Sequence, residues 1–285
     1  MFSTRKITYL ATLTTASVAI IIVLSSLTPI AIYPDIRISF EGVLIKLTGY
    51  LFGPIFGVIS ASLAEFLLLL FRPGIVHWIY TLAIILYGLF GGLAYLIKNK
   101  TKNPVLCSAL FNSTMSIGII FFAILSMSHI ISIINTDSIE FFSLFHVPTL
   151  LLWIFMLIVG VGIIAYSVWS LIYSKITKKE TTISILNNVG PIIFLCILTE
   201  IQSVLLVSYG NSIALTQKSS YISWLTLSLA EMPIRIIFNV IIIFSGWKIL
   251  SPLIKIERSS AEKHLKHQSS HKRKKVIFLK WKKKS

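Results

Sequence analysis

The sequence predicts an all-α integral membrane protein, a polytopic helical bundle of eight spans with both termini in the cytoplasm. Three observations carry that prediction. Hydrophobic residues make up 55% of the chain, the mean hydropathy is +0.87, and these residues gather in runs of about 20, enough to cross a hydrocarbon core of roughly 30 Å. The runs are continuous rather than alternating, which excludes a β-barrel and leaves helices to satisfy the backbone in lipid. Every long lysine-rich connector falls on one side of the alternating topology, as the positive-inside rule asks.

The first run, 7–27, follows the short basic stretch MFSTRK. It is longer than the apolar region of about 7 to 15 residues in a signal peptide and has no small-residue cleavage site after it, so it reads as a retained helix. Ala11, Thr15 and Ala19 recur along it every four residues, with Thr8, Thr12 and Ala16 beside them. Such a small-residue face lets a membrane helix dock closely, either within its own chain or on a partner.

A polar link at 32–37 leads into 38–71. As one helix this stretch would measure roughly 51 Å at about 1.5 Å per residue, too long for the bilayer. It must therefore fold back, and Gly53-Pro54 is the place, since proline has no N–H for the helical ladder and glycine relieves the backbone at a turn. Gly49, Gly53, Gly57 and Ala61 keep a spacing of four around it, a pattern that helix packing alone also explains. Further segments cover 77–97, 105–134, 147–173, 189–209 and 222–250. Inner connectors are then 53–54, 98–103 and 174–180. Outer connectors are 32–37, 72–76, the acidic 135–146 with Asp137 and Glu140, and 210–221.

The net charge of +16 is concentrated at one end: residues 255–285 hold 12 Lys and Arg against two acidic residues. This divides the chain into a transmembrane domain, 1–254, and a basic cytoplasmic tail, 255–285, predicted to be disordered. A charge run just past the last apolar segment is drawn to anionic lipid headgroups, at about 1 kcal/mol per basic residue near the surface. Nucleic-acid contact is the weaker reading, because a phosphate-seeking charge run is unspecific. In the tail His264, His267 and His271 share a helix face, but the surrounding lysines repel a divalent cation and no carboxylate or thiolate completes a site. Cys107 and Cys196 lie in apolar runs, read as small buried side chains.

Ionisable residues within or beside the apolar runs are Glu41, Lys46, Glu65, Glu200, Glu231 and Arg235, with Arg72 and His77 at an outer boundary. Each is costly in lipid unless it faces a cavity or a partner. Glu41 and Lys46, five apart, do not form an i,i+4 pair, whereas Glu231 and Arg235 have that spacing and form either a helical salt bridge or part of a site. His77, next to Trp78 and Tyr80, reads as an interfacial belt residue before it reads as a metal ligand. No phosphate loop, HExxH zinc motif or aspartate-rich metal pair is present. The chain is accordingly expected to be no enzyme, with no cofactor and no resident metal.

The stretch IRISFEGVLIKLTGYLFGPIFGVISASLAEFLLLLF, followed by HWIYTLAIILYGLFGGLAYLI, resembles the substrate-binding (S) component of energy-coupling factor (ECF) vitamin transporters, most closely the folate-type branch. The shared features are the R-I-x-F opening, the F-G-P-x-x-G turn and an acidic residue near the position of Glu65. LAEMPIRIIFNVIIIFSGWKIL is similar to the last helix of folate-type members. The likeness covers 7–97 well and 188–250 loosely. The chain departs from the family's usual six helices by an inserted pair at 105–173, by the tail, and by Glu41 and Lys46, which stand where apolar or small residues are common.

The resemblance implies a multi-pass protein of the cell membrane, with a six-helix S-component core and two inserted helices. It also implies capture of a folate-like vitamin from outside and delivery by docking on a transmembrane coupling (T) protein driven by two ATPases. Substrate-binding residues are then expected at the outer side: Arg37, Glu41, Arg72, His77, Trp78 and Tyr80, with Trp224 and Glu231 from the ends of the last two helices. Aromatic faces would stack on a planar ring and arginines would offer paired donors to a carboxylate or phosphate. Ala11, Thr15 and Ala19 would dock on the coupling protein. Two other classes stay open: a self-sufficient secondary transporter, although no repeat between halves is evident, and a membrane-anchored adaptor working through its basic tail.

Overall fold

The computed structural model describes residues 4–27, 42–71, 77–133, 138–141, 145–177, 179–214, 221–222, 224–225, 228–229 and 231–252. They divide between two compact units, Met1–Phe244 and Ser245–Ser285; of the second, residues 245–252 are described and helical. The Arg37 and Glu41 end of the predicted second segment, the loop carrying Arg72, and the basic tail lie outside the described residues.

The protein is a helical membrane protein. Among the described residues the long helices are, in chain order, α1 (Thr4–Leu27), α2 (Val43–Phe52), α3 (Pro54–Phe71), α4 (Trp78–Lys100), α5 (Pro104–Ile133), α6 (Thr149–Ile176), α7 (Glu180–Ala214) and α8 (Glu231–Pro252). Five of them, α4 to α8, contain a stretch long and apolar enough to cross a bilayer, while α1 to α3 contribute shorter apolar helices. Between α5 and α6 the expected outer connector holds a two-stranded antiparallel hairpin, β1 (Ser138–Phe141) and β2 (Phe145–Pro148), with Glu140 opposite His146. The ladder lies in the connector that separates two apolar runs of the sequence, and the alternation of SIEF and FHVP suits it. The start of α7 differs from the sequence expectation: the helix begins at Glu180 rather than 189 and runs through Pro191.

The fold-back falls at Gly53. Its φ of 99° lies in the left-handed region, its N–H closes α2 by donating to the Gly49 carbonyl at 2.8 Å, and Pro54 opens α3. Proline suits the first turn of a helix, where its missing N–H costs nothing. The two short helices then meet α4 backbone to backbone. A methyl group on Gly57 would fall 2.8 Å from Gly49 Cα and collide with the Gly88 carbonyl, one on Gly91 would collide with the Lys46 carbonyl, and one on Gly92 would overlap Pro54. Gly49 and Gly57 are thus half of a crossing whose other half is the Gly88–Gly92 run of α4.

α1 leans on α2 and α3 through Leu10, Thr14, Ser17 and Val18, and the Thr14 and Ser60 hydroxyls share a hydrogen bond of 2.8 Å. Val18, Ile45, Ala61, Ala64, Ile84 and Tyr87 form the adjoining apolar cluster. α7 packs against α4 on one side and α5 on the other, whereas α6 packs chiefly along α5. The α5–α6 pair therefore sits beside the α1–α4 and α7 core, attached through α5. At that seam Phe111 and Phe194 pack at 5.4 Å and Asn112 Nδ2 donates to the Gly190 carbonyl at 3.1 Å.

Candidate functional site

The glycine crossing has a chemical consequence. Lys46 lies one turn before Gly49, and the close approach of α2 to α4 carries its side chain into the protein, where it is fully buried. A lysine in that setting needs an anion. It finds one on α7: Nζ is 3.2 Å from Glu200 Oε1. The same ammonium sits 4.4 Å from the centre of the Tyr87 ring, a cation–π contact.

Glu200 is the hub of a larger network. Asn239 Nδ2 donates to Oε1 at 2.7 Å, and Arg235 Nε lies 3.1 Å from Oε2. Arg235 also donates through Nη2 to the Ser228 carbonyl at 2.8 Å, and its Nη1 stands 3.9 Å from Glu231 Oε2. The i,i+4 pair read from the sequence is therefore present, but the shorter contact of Arg235 is to Glu200. Two cations and two carboxylates, all buried, balance in charge and tie α2, α7 and α8 together. In a low-dielectric interior such a set holds only when its members satisfy one another.

The outer-side residues predicted for ligand contact divide. Tyr80 donates to Asn211 Oδ1 at 2.7 Å, so it fastens α4 to α7. Half-buried His77 lies 6.0 Å from Trp78 and 6.1 Å from Tyr80, ring to ring, an aromatic cluster at the start of α4. Trp78 is exposed and Trp224 is buried, its indole N–H finding no hydrogen-bond partner among the described residues. Glu231 is buried in the Arg235 network. Arg37, Glu41 and Arg72 lie outside the described residues. Glu65 accepts from Thr81 Oγ1 at 3.0 Å, joining α3 to α4. Among the described residues no group of three His, Cys, Asp or Glu side chains could hold a metal.

Sequence reasoning passed over Lys46, Glu200, Arg235 and Asn239 as members of one site. The usable signal was polar chemistry inside apolar runs. What was missing was the pairing, since Lys46 and Glu200 are 154 positions apart. On α1, Ala11, Thr15 and Ala19 lie on the exposed face.

No protein-family model matches the chain, and no solved structure matches it. It is similar to an uncharacterized protein of Mycoplasma pneumoniae (strain ATCC 29342 / M129 / Subtype 1), the MG098 homolog, at 26% identity over 262 residues. The match covers 78% of this chain and 54% of that protein, so the chain spans about half the length of the relative it matches.

Proposed function

We propose that the chain is the membrane-embedded substrate-binding subunit of an ATP-driven ECF-type importer. In this reading it captures a vitamin, folate-like by preference, and hands it inward by docking on a transmembrane coupling protein with two ATPases. It crosses the cell membrane eight times, the α5–α6 pair being an insertion in a six-helix core, and both termini are cytoplasmic.

The observation that carries this reading is the orientation of α1. Its buried face is Leu10, Thr14, Ser17 and Val18, while the stripe of Ala11, Thr15 and Ala19 is turned away from the bundle. The Thr15 hydroxyl donates back to the Ala11 carbonyl at 2.8 Å, so the stripe offers small, self-satisfied side chains to a neighbour. That is the surface a close helix contact with a second protein uses.

The test is asymmetric. Ala11→Trp or Thr15→Trp adds bulk on the outward face and should leave vitamin binding by the purified protein near normal while ATP-dependent uptake in cells collapses. Parallel loss of folded yield, binding and uptake would retire the coupling-face assignment.

A second reading, a self-sufficient secondary transporter, draws on the Glu200 network, since ionisable clusters within the membrane also serve ion coupling. Uptake by the purified chain alone in vesicles, driven by an imposed ion gradient, would favour it over the importer. A third reading, an adaptor working through the tail, predicts that deletion of 255–285 abolishes function, whereas a vitamin carrier keeps ligand binding.

A further inference from the structure

Between the attached helix pair and the core lies a cavity of about 430 Å³, walled by α5, α6, α7 and by Leu225, Leu229 and Met232. Its size falls in the range of roughly 300–1,000 Å³ usual for ligand pockets. Thr114, Gly118 and Phe122, four apart on α5, form one exposed edge, and Leu205 on α7 forms the other. Met156, Val204 and Met232 form the buried floor. A Cβ placed on Gly118 meets nothing within 4 Å, so the space at that edge is open.

Three features select the occupant. Among the described residues the lining is apolar except for Thr114, whose hydroxyl is already committed to the Leu110 carbonyl at 2.9 Å. A polar solute would find no free side-chain donor among them, and moving it in would forfeit its hydrogen bonds with water. The mouth is elongated along α5, about 12 Å from Thr114 to Phe122 at roughly 1.5 Å per residue, so its long axis follows a membrane-length helix as acyl chains do. It is also central: Thr114 and Phe122 each stand about 15 Å from the nearer end of the helix on the same rise. Headgroups do not reach that depth, and hydrocarbon tails do.

We infer that this slot holds one acyl chain of a membrane lipid, wedged between α5 and α7. Methionine floors suit such an occupant, because their flexible thioethers adapt to a chain of variable shape. The site selects on chain shape and length, and headgroup chemistry plays no part. It does not rest on the vitamin-binding reading.

The experiment reconstitutes the full chain in phosphatidylcholine–phosphatidylglycerol vesicles containing a fatty acid with a mid-chain diazirine, irradiates them, and maps the adducts by peptide mass spectrometry. Enrichment on the peptides carrying Met156 and Met232 is expected. Gly118→Phe fills the slot where nothing now stands, and the yield there should fall about tenfold. Leu205→Trp closes the opposite edge and should do the same; each variant is compared only after its melting temperature matches that of the parent. Adducts spread evenly over lipid-facing surfaces such as Val168 and Trp169, or floor labelling untouched by both substitutions, would overturn the inference. So would floor labelling that is absent in native membranes because a protein helix cross-links there instead.

Discussion

Lys46 on α2 and Glu200 on α7 meet at 3.2 Å with neither side chain exposed, and Glu200 is the point through which Lys46, Arg235 and Asn239 are joined. Removing the hub and removing one spoke should therefore differ. Glu200→Leu leaves two cations buried without their shared anion and should cost about 3–5 kcal/mol of stability. Lys46→Met leaves Glu200 with Arg235 and Asn239 and should cost less. Thermal unfolding of the purified variants in detergent measures both, and equal losses would contradict the hub arrangement.

The glycine crossing makes a second, steric prediction. Gly88→Ala puts a methyl group into the Gly57 carbonyl and Gly92→Ala puts one into Pro54, so the helices must separate. Both should lower folded yield sharply, measured by fluorescence-detected size exclusion. Gly162→Ala, whose added carbon meets nothing within 4 Å, should behave like the parent. Tolerance of all three would mean that α2, α3 and α4 do not approach this closely.

Tyr80 and Asn211 hold the start of α4 and the end of α7 together at 2.7 Å. Tyr80→Phe removes this donor from the buried Asn211 side chain, at about 1–3 kcal/mol. A fall in melting temperature is expected with the helical circular-dichroism spectrum unchanged. If Tyr80 also touches ligand, vitamin affinity falls as well; a stability loss with unaltered affinity assigns it to fastening alone.

Arg37 and Arg72 carry the ligand prediction that rests on sequence. For an anionic pterin-like or flavin-like ligand, Arg37→Ala should weaken binding by more than about 1.5 kcal/mol, the low end for a hydrogen bond to a charged group. Titration calorimetry on the purified protein reads this directly. Unchanged affinity in Arg37→Ala and Arg72→Ala alike would remove the outer arginines from the site.

The sequence by itself determined the class of molecule and the punctuation of its central stretch. Continuous apolar runs admit only helices in lipid, and a 34-residue run interrupted by Gly53-Pro54 has to turn there, because the reasons are local: chain length, a missing N–H and a glycine beside it. Small residues at Gly49 and Gly57 likewise announced a close approach. Only the tertiary structure decided what approached, namely the Gly88–Gly92 run of α4, because packing partners depend on how helices far apart in sequence are brought side by side. The same holds for charge. Each buried ionisable residue was legible as an expensive side chain in need of a partner, yet the sequence could offer Arg235 only Glu231, the neighbour its helical spacing supplied. The fold offered it Glu200 as well, at a shorter distance, and gave Lys46 the same carboxylate. Local chemistry sets the need for compensation; the three-dimensional crossing of α2, α7 and α8 supplies it.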